Sequence, residues 1–399
     1  MRVSTSTLYQ AGTSALLKQQ AEMVKTQQQM AAGRRILTAA DDPVGASTAL
    51  RISQSLAGNQ QLQANQQSAT NSLAVAESTM GAVGDLLQSV RERLLQAQNG
   101  TLSATERTII ADDVDGMLGR LNGLANAKDG SGAYLFAGYS ETAQPFVSGT
   151  GGVSYMGDDG TRKLEVASGR TLGVSASGND IFMRIKNGNG VFATAANVTN
   201  AGSGVIDPGS VANPAALNGH AYTITFNVAA GVTTYDIYDT TAAAPVSTGN
   251  AFKSGQAIGI AGMQFAVSGA PANGDVFTAG PATNQSMFKT LSDASAALRS
   301  SMATGARVSA VSGALSSLDR ALDHAVTMRA EFGTRMNEIS AHETVSGAVV
   351  LEHQRRLSEL QDVDYTEAAT TLMRQQTSTQ AAQQSFAKIA KLSLFDYLG

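Results

Sequence analysis

The sequence predicts a mainly α protein with a β insert. Both chain ends build a long antiparallel, coiled-coil-like helical bundle, and the middle forms a β-rich domain. Two heptad stretches carry the helical half of that expectation. One runs Val308, Val311, Leu315, Leu318, Leu322, Ala325 and on through Phe332 and Ile339 to Leu360 without a break. The other runs Ala49, Ile52, Leu56, crosses a polar patch of Asn59, Gln63, Gln66 and Thr70, reaches Leu73, and after one three-residue skip continues from Ala76 to Ala97. Such a 3,4 spacing keeps one face of a helix turned toward partner helices. At 1.5 Å per residue each rod would be about 80 Å long, so the two match. Glycine carries the β half: 10 lie in residues 1–129, 25 in 130–283 and 5 in 284–399, and six of the seven prolines fall between Pro145 and Pro281. Glycine and proline punctuate short strands and turns, whereas the Ala and Gln of the flanks favour helix.

The elements follow in order. Residues 1–30 carry few charges and a sparse stripe of Leu8, Ala11, Ala15, Met23 and Met30. Gly33 interrupts this Ala/Gln helix, and Arg34 and Arg35 follow it, a few residues before Asp41 and Asp42. Asp42-Pro43 reads as an N-cap with proline in the first helical position. The first rod then runs to a left-handed stop at Asn99-Gly100. Ser103 with Glu106 makes a capping box for a helix with the face Ile110, Val114, Met117, Leu121, Leu124, ending near Asp129-Gly130. Tyr134–Tyr139, Ala221–Val228, Thr233–Tyr238, Ile258–Val267 and Asp275–Thr278 read as strands. Asp364 with Glu367 repeats the capping pattern and starts a last helix that offers Leu372, Phe386, Leu392, Leu394, Phe395 and Leu398. The expected division is terminal helices over 1–40 and 365–399, a helical shaft over 41–146 and 284–364, and a β domain over 147–283.

Composition narrows the chemistry. Charged residues make up 15% of the 399 and net charge is −4, so no broad electrostatic case exists for nucleic acid or an anionic membrane. Cysteine is absent, which excludes disulfides, thiolate zinc sites and a thiol nucleophile. The first 30 residues contain no apolar run fit for a signal peptide, and no stretch approaches the length of a membrane span. His342-Glu343 lacks the second His of a zinc helix, and His353 falls in a seam as a packing residue. Gly188-Asn-Gly190 and Gly202-Ser-Gly204 lack the third glycine of a dinucleotide loop. Asp112-Asp113-Val-Asp115-Gly116 resembles a calcium loop in composition but lies in a helical pattern without the terminal Glu. No cofactor, metal site or catalytic set is expected, and an enzyme is a weak reading.

A 3,4 apolar stripe is most often an ordinary intramolecular core, and part of each rod must cover the other. Rods of this length still have more flank than one partner can cover, so the amide-rich helices suit lateral packing between copies. Neither end helix can bury its stripe alone, and isolated helices are marginal in water. The ends, about 1–40 and 365–399, are therefore expected to order on assembly.

Gln29-Met30-Ala-Ala-Gly33-Arg34-Arg35-Ile36, followed by Ala39-Ala40-Asp41-Asp42-Pro43-Val-Gly45-Ala46, resembles the N-terminal signature of the bacterial flagellin family. Asn99-Gly-Thr-Leu-Ser103, Asp129-Gly-Ser-Gly-Ala-Tyr134-Leu-Phe136-Ala-Gly138-Tyr139, Val363-Asp364-Tyr365 and the end Ser393-Leu394-Phe395-Asp396-Tyr397-Leu398 are similar to the family's hook-associated junction proteins more than to flagellin itself. Gly269-Ala-Pro271-Ala-Asn-Gly274-Asp275 resembles a β module of flagellar hook-associated proteins. The resemblance implies a non-catalytic polymer subunit, exported unfolded by the flagellar type III apparatus and placed outside the cell between hook and filament. It implies as partners further copies of the chain, the hook-side junction protein, flagellin, and an export chaperone that grips the C-terminal helix. Bulk flagellin is the alternative within the family, and a secreted coiled-coil effector would lack the Gly33–Ala46 signature. The residues expected to carry assembly are Leu8, Gly33, Arg34, Arg35, Asp41, Asp42, Pro43, Leu372, Phe386, Leu392, Leu394, Phe395 and Leu398.

Overall fold

The computed structural model describes residues 5–100 and 102–395, with the backbone alone at residues 5, 6, 8 and 389–395. Its six α-helices are α1 (Thr5–Ala32), α2 (Pro43–Ala97), α3 (Ala104–Ala125), α4 (Met287–Arg299), α5 (Thr304–Gln361) and α6 (Tyr365–Phe395). The chain forms two compact units, one from residues 1–64 and 342–399, the other from 65–341. The long helices α2 and α5 each give one stretch to either unit.

In the first unit α1 and α6 run antiparallel. Tyr9 meets Phe386 with ring centroids 4.6 Å apart, Gln19 bonds Ser378, and Gly33 O accepts from Val363 N at 3.1 Å. The turned-in positions of α1 are Gly12, Leu16, Gln19, Met23, Thr26 and Met30, and those of α6 are Ala368, Leu372, Gln375, Thr379, Ala382 and Phe386. Each set steps 4,3,4,3,4, the spacing of a two-helix seam. The stripe expected on α1 is thereby corrected: Ala11 and Ala15 are exposed. The seam is small and polar, and Thr26 and Thr379 are buried with each hydroxyl donating back to the carbonyl four residues earlier.

The second unit holds the main core. Leu73, Met80, Leu87 and Leu94 of α2 pack with Val114 and Leu121 of α3, Leu291 and Leu298 of α4, and Leu318 and Phe332 of α5. Glu77 pairs with Arg329 at 2.6 Å and Arg91 with Asp319 at 2.8 Å. The order reverses between the two helices, so α2 and α5 are antiparallel here. Arg329, a seam position, is exposed because it serves that ion pair. The capping box on α3 forms as read, with Ser103 N donating to Glu106 at 2.7 Å. That helix stops at Ala125, short of Asp129-Gly130. Helix α4 was not expected. Ser286 caps it, and Met287, Phe288, Leu291, Ala294 and Leu298 form its buried face.

The β region has two cores. Strands Phe146–Gly149, Gly152–Tyr155, Lys163–Ala167, Arg170–Gly173 and Ile185–Lys186 belong with the helices, because Phe146, Val166, Leu172, Val174, Phe182 and Ile185 lie in their core. Phe182 packs on Phe136 at 5.4 Å and on Phe146 at 5.2 Å. Asn65 and Gln66 of α2 donate to the carbonyls of Glu165 and Val166 at 2.9 and 2.6 Å, so this end of the polar seam patch serves a strand. From Phe192 onward a second core of Phe226, Ile224, Phe265, Val267 and Phe277 sits between two sheets. One sheet has five antiparallel strands in the order 244–251, 232–239, 222–229, 276–281, 192–196; the other is 257–260, 263–268 and 205–206, with 210–211 also on 263–268. The expected strand Ile258–Val267 is instead a hairpin, turned at Ala261 (φ 45°) and Gly262 (φ 82°). The expected strand Tyr134–Tyr139 is a turn-rich segment. Its Phe136 is buried, and Tyr139 N donates to Asp158 at 2.9 Å.

Candidate functional site

The first unit gathers two parts of the set expected to carry assembly, a joint and a seam. The joint starts at Gly33, where φ reaches +68°, a left-handed angle open to glycine at little cost. That turn ends α1 and swings the next residues against the end of α5. Arg35 N donates to Gln361 O at 2.6 Å, Val363 N donates to Gly33 O, and Arg34 and Asp362 form an antiparallel bridge. The two chain crossings, 33–35 and 361–363, are thus bonded to each other as a short ribbon.

Side chains brace the ribbon. Arg35 Nη2 donates to Leu360 O at 2.9 Å and lies 3.4 Å from Asp42 Oδ2. Gln29 Nε2 donates to Arg35 O at 2.5 Å. Asp42 caps α2 by accepting from Gly45 N at 2.8 Å, with Pro43 as the first helical residue. A Cβ at Gly45 would come within 2.7 Å of the Asp42 carboxyl carbon and 2.8 Å of Ile36 Cδ1, so a side chain there would push the capping carboxylate and Ile36 aside. Asp41 pairs with Lys25 at 2.6 Å and accepts from Leu37 N and Thr38 N at 3.0 and 2.8 Å. Lys25 first, and then those backbone donors, hold its carboxyl well below the usual carboxylate range. Asp364 caps α6, accepting from Thr366 N at 2.8 Å and Glu367 N at 3.2 Å. A shallow groove of about 180 Å³ follows the joint, lined by Thr26, Gln29, Arg35, Val363, Asp364, Glu367, Ala368 and Thr371.

Of the expected residues, Gly33, Arg35, Asp41, Asp42 and Pro43 come together here. Arg34 lies beside them, exposed, with no ion pair among the described residues. Asp41 turns to Lys25 instead of an arginine, a partner one helix upstream that the local spacing did not reveal. Leu372 and Phe386 belong to the α1–α6 seam. The side chains of Leu8, Leu392, Leu394 and Phe395, and Leu398 entirely, lie outside the described residues. Sequence reasoning missed Lys25 and Gln361, which carry no local signal, whereas Gln29 and Gly45 lie within the N-terminal signature. Backbone bonds, caps and ion pairs of this kind fix an angle between helices and offer faces for packing.

The exposed apolar residues of this unit point the same way. Leu17 and Val24 stand one heptad apart on α1, 66% and 46% exposed, while Val44 and Leu50 of α2 and Met373 of α6 are 76%, 61% and 68% exposed. Among the described residues no helix is long and apolar enough to cross a membrane.

The chain is similar to known proteins. Residues 3–141 match the bacterial flagellin N-terminal helical region and residues 315–398 the bacterial flagellin C-terminal helical region. Flagellar hook-associated protein 3 of Escherichia coli is 27% identical over 99% of both chains. The crystal structure of Xanthomonas campestris FlgL superimposes with a TM-score of 0.72 at 31% identity, over 77% of this chain and 99% of that one. The flagellar junction protein FlgL of Legionella pneumophila gives 0.68 at 30% identity, over 73% and 98%. Several flagellins align with only 29–50% of this chain.

Proposed function

Because this chain belongs to the hook-associated protein 3 (FlgL) branch of the flagellin family, we propose that it is the structural subunit that forms the junction layer between the hook side and the filament. One observation carries this choice over bulk flagellin. The resemblance to hook-associated protein 3 runs through the β region and covers 99% of the chain, whereas flagellins share parts of it. In this reading the terminal helices (1–40 and 365–399) form the inner layer of the junction. The shaft (41–146 and 284–364) forms the next shell together with the strands up to Lys186 that pack into its core, and the rest of the β domain (147–283), from Phe192 onward, faces outward. The role needs no catalysis. Partners are neighbouring copies, the hook-side junction protein and flagellin. Before export, a cytoplasmic chaperone holds the C-terminal helix, because an amphipathic helix is a natural groove ligand and would otherwise associate early. The working place is outside the cell.

Deleting the gene tests the proposal. Cells should complete the hook, stop swimming and release flagellin into the medium, and the wild-type chain should restore filaments. Deletion cells that keep full-length filaments and release no flagellin would overturn it.

A further inference from the structure

Two arginines meet at one tip of the second unit with no acid between them. Helices α3 and α4 set the geometry. Ser295 of α4 donates to Ala111 O of α3 at 3.4 Å, and Phe288, seven residues earlier, lines a groove with Leu118, seven residues later. The two helices are therefore antiparallel, which runs residue 303 up to the level of 103 and sets the starts of α3 and α5 side by side. Each start folds an arginine back by five residues. Arg107 Nη1 donates to Leu102 O at 2.9 Å, and Arg307 Nη1 to Met302 O at 3.2 Å. Both guanidinium groups thus sit where first-turn amides already concentrate positive charge. Burial, and then the like charge of Arg107, pull the Arg307 guanidinium below its usual range.

The nearby acids are engaged elsewhere. Asp112 and Asp115 both pair with Arg299, at 2.7 and 2.5 Å, and Glu106 accepts from the Ser103 amide at 2.7 Å. Among the described residues neither Arg107 nor Arg307 has an ion pair, and Arg107 Nε is buried with no hydrogen-bond partner. Half-buried like charges without a counter-ion destabilise the isolated chain, so the tip is built for an anion from outside. The same unit carries the complement. Asp85 and Glu92 stand one heptad apart on α2, about 10 Å along its axis, exposed and without an ion pair among the described residues. Arg91 and Arg93 turn to α5 and α3, to Asp319 at 2.8 Å and Asp113 at 3.3 Å, which leaves Glu92 facing outward between them. Asp85 lines an open groove with Arg120 but does not pair with it.

We infer that Arg107 and Arg307 form the receptor for the Asp85 and Glu92 carboxylates of a neighbouring copy of this chain. Tip and flank are different surfaces, so the contact is heterologous and passes from copy to copy, as a ring or a helical layer needs. Arginine gives such a contact direction as well as attraction, because its planar fork holds carboxylate oxygens in fixed positions. The role of the contact in the layer rests on the junction reading.

Charge variants of the full-length chain, expressed in place of the wild type, test the receptor. Arg107→Gln/Arg307→Gln removes a like-charge contact, so the melting temperature of the purified chain should stay level or rise, while shed flagellin increases at least fivefold. Arg107→Glu/Arg307→Glu should shed as much, and adding Asp85→Arg and Glu92→Arg should return shedding to within twofold of the wild type. Wild-type shedding by the glutamine variant overturns the inference. So does a four-fold variant that melts normally and still sheds, because the arginines would then face an acid of another protein or a free anion. The contact itself is read by cross-linking, which the absence of cysteine allows. Thr105→Cys at the tip and Gln88→Cys between the two acids are introduced together, and hook–filament preparations are oxidised. Disulfide-linked oligomers of the chain should appear with the pair and with neither cysteine alone, and an assembled layer that yields none overturns the inference whatever the charge variants do. Filaments that persist when the chain is deleted would sink the junction reading, whereas linked copies would still uphold the contact.

Discussion

At the joint, two adjacent arginines have parted in role. Arg35 is spent inside its own chain, on the Leu360 carbonyl and on Asp42, whereas Arg34 points no charge at any described acid. Arg35→Ala should therefore loosen the ribbon by about 1 kcal/mol, a charge-assisted hydrogen bond discounted for an exposed setting. Faster hydrogen exchange over 33–42 and 361–364 would report it. Arg34→Ala should leave that exchange unchanged and reduce incorporation at the hook tip, read as shed flagellin. Equal exchange and equal shedding for both variants would remove the distinction. In the other unit, Leu87 and Leu318 are fully buried in the core, so Leu87→Ala and Leu318→Ala should each cost roughly 2–5 kcal/mol. Thermal melts that leave both unchanged would show that α2 and α5 do not pack there.

The helices were legible where their signals are local. Asp42-Pro43, the Ser103–Glu106 box and Asp364 all cap as read, because a cap is decided within four residues. What escaped was decided at a distance. Tyr134–Tyr139 has the aromatic pattern of a strand, yet Asp158, nineteen residues on, captures the Tyr139 amide and Gly138 turns the chain at φ +72°. The inward face of α1 depends on which residues α6 covers, so a stripe drawn from hydrophobicity alone chose Ala11 over Gly12. Lys25 and Gln361 reach the joint only through the fold. The α1–α6 pair itself buries little apolar surface, with Thr26 and Thr379 rather than aliphatic residues at its centre. Such a pair should open readily in the unassembled chain. Limited proteolysis of the purified monomer should trim 1–40 and 365–399 and spare the second unit. Full protection of both ends in a verified monomer would contradict this.

For the whole molecule, the distinction that matters is between a subunit that elongates without limit and one that stops after a layer. Flagellin and this chain share terminal helical regions, and on the proposed junction reading the β region between them is where a difference in growth is expected. Strands 146–186 are fused into the helical core through Phe146, Val166 and Phe182, which stiffens the second unit on the side that bears the β sandwich. On the proposed junction reading, a rigid outer body on each subunit would limit the range of neighbours accepted along the axis, and the exposed residues Leu17, Val24, Leu50 and Met373 would serve contacts between copies. Lateral closure should therefore be favoured over axial growth. Purified chain at high concentration, seeded with isolated hook fragments, should add a layer of fixed height and then stop, whereas flagellin added afterwards should extend it. The check is the length distribution of seeded particles by electron microscopy. A narrow peak that does not move with added chain is expected, and continuous lengthening would mean that this chain is a filament subunit after all.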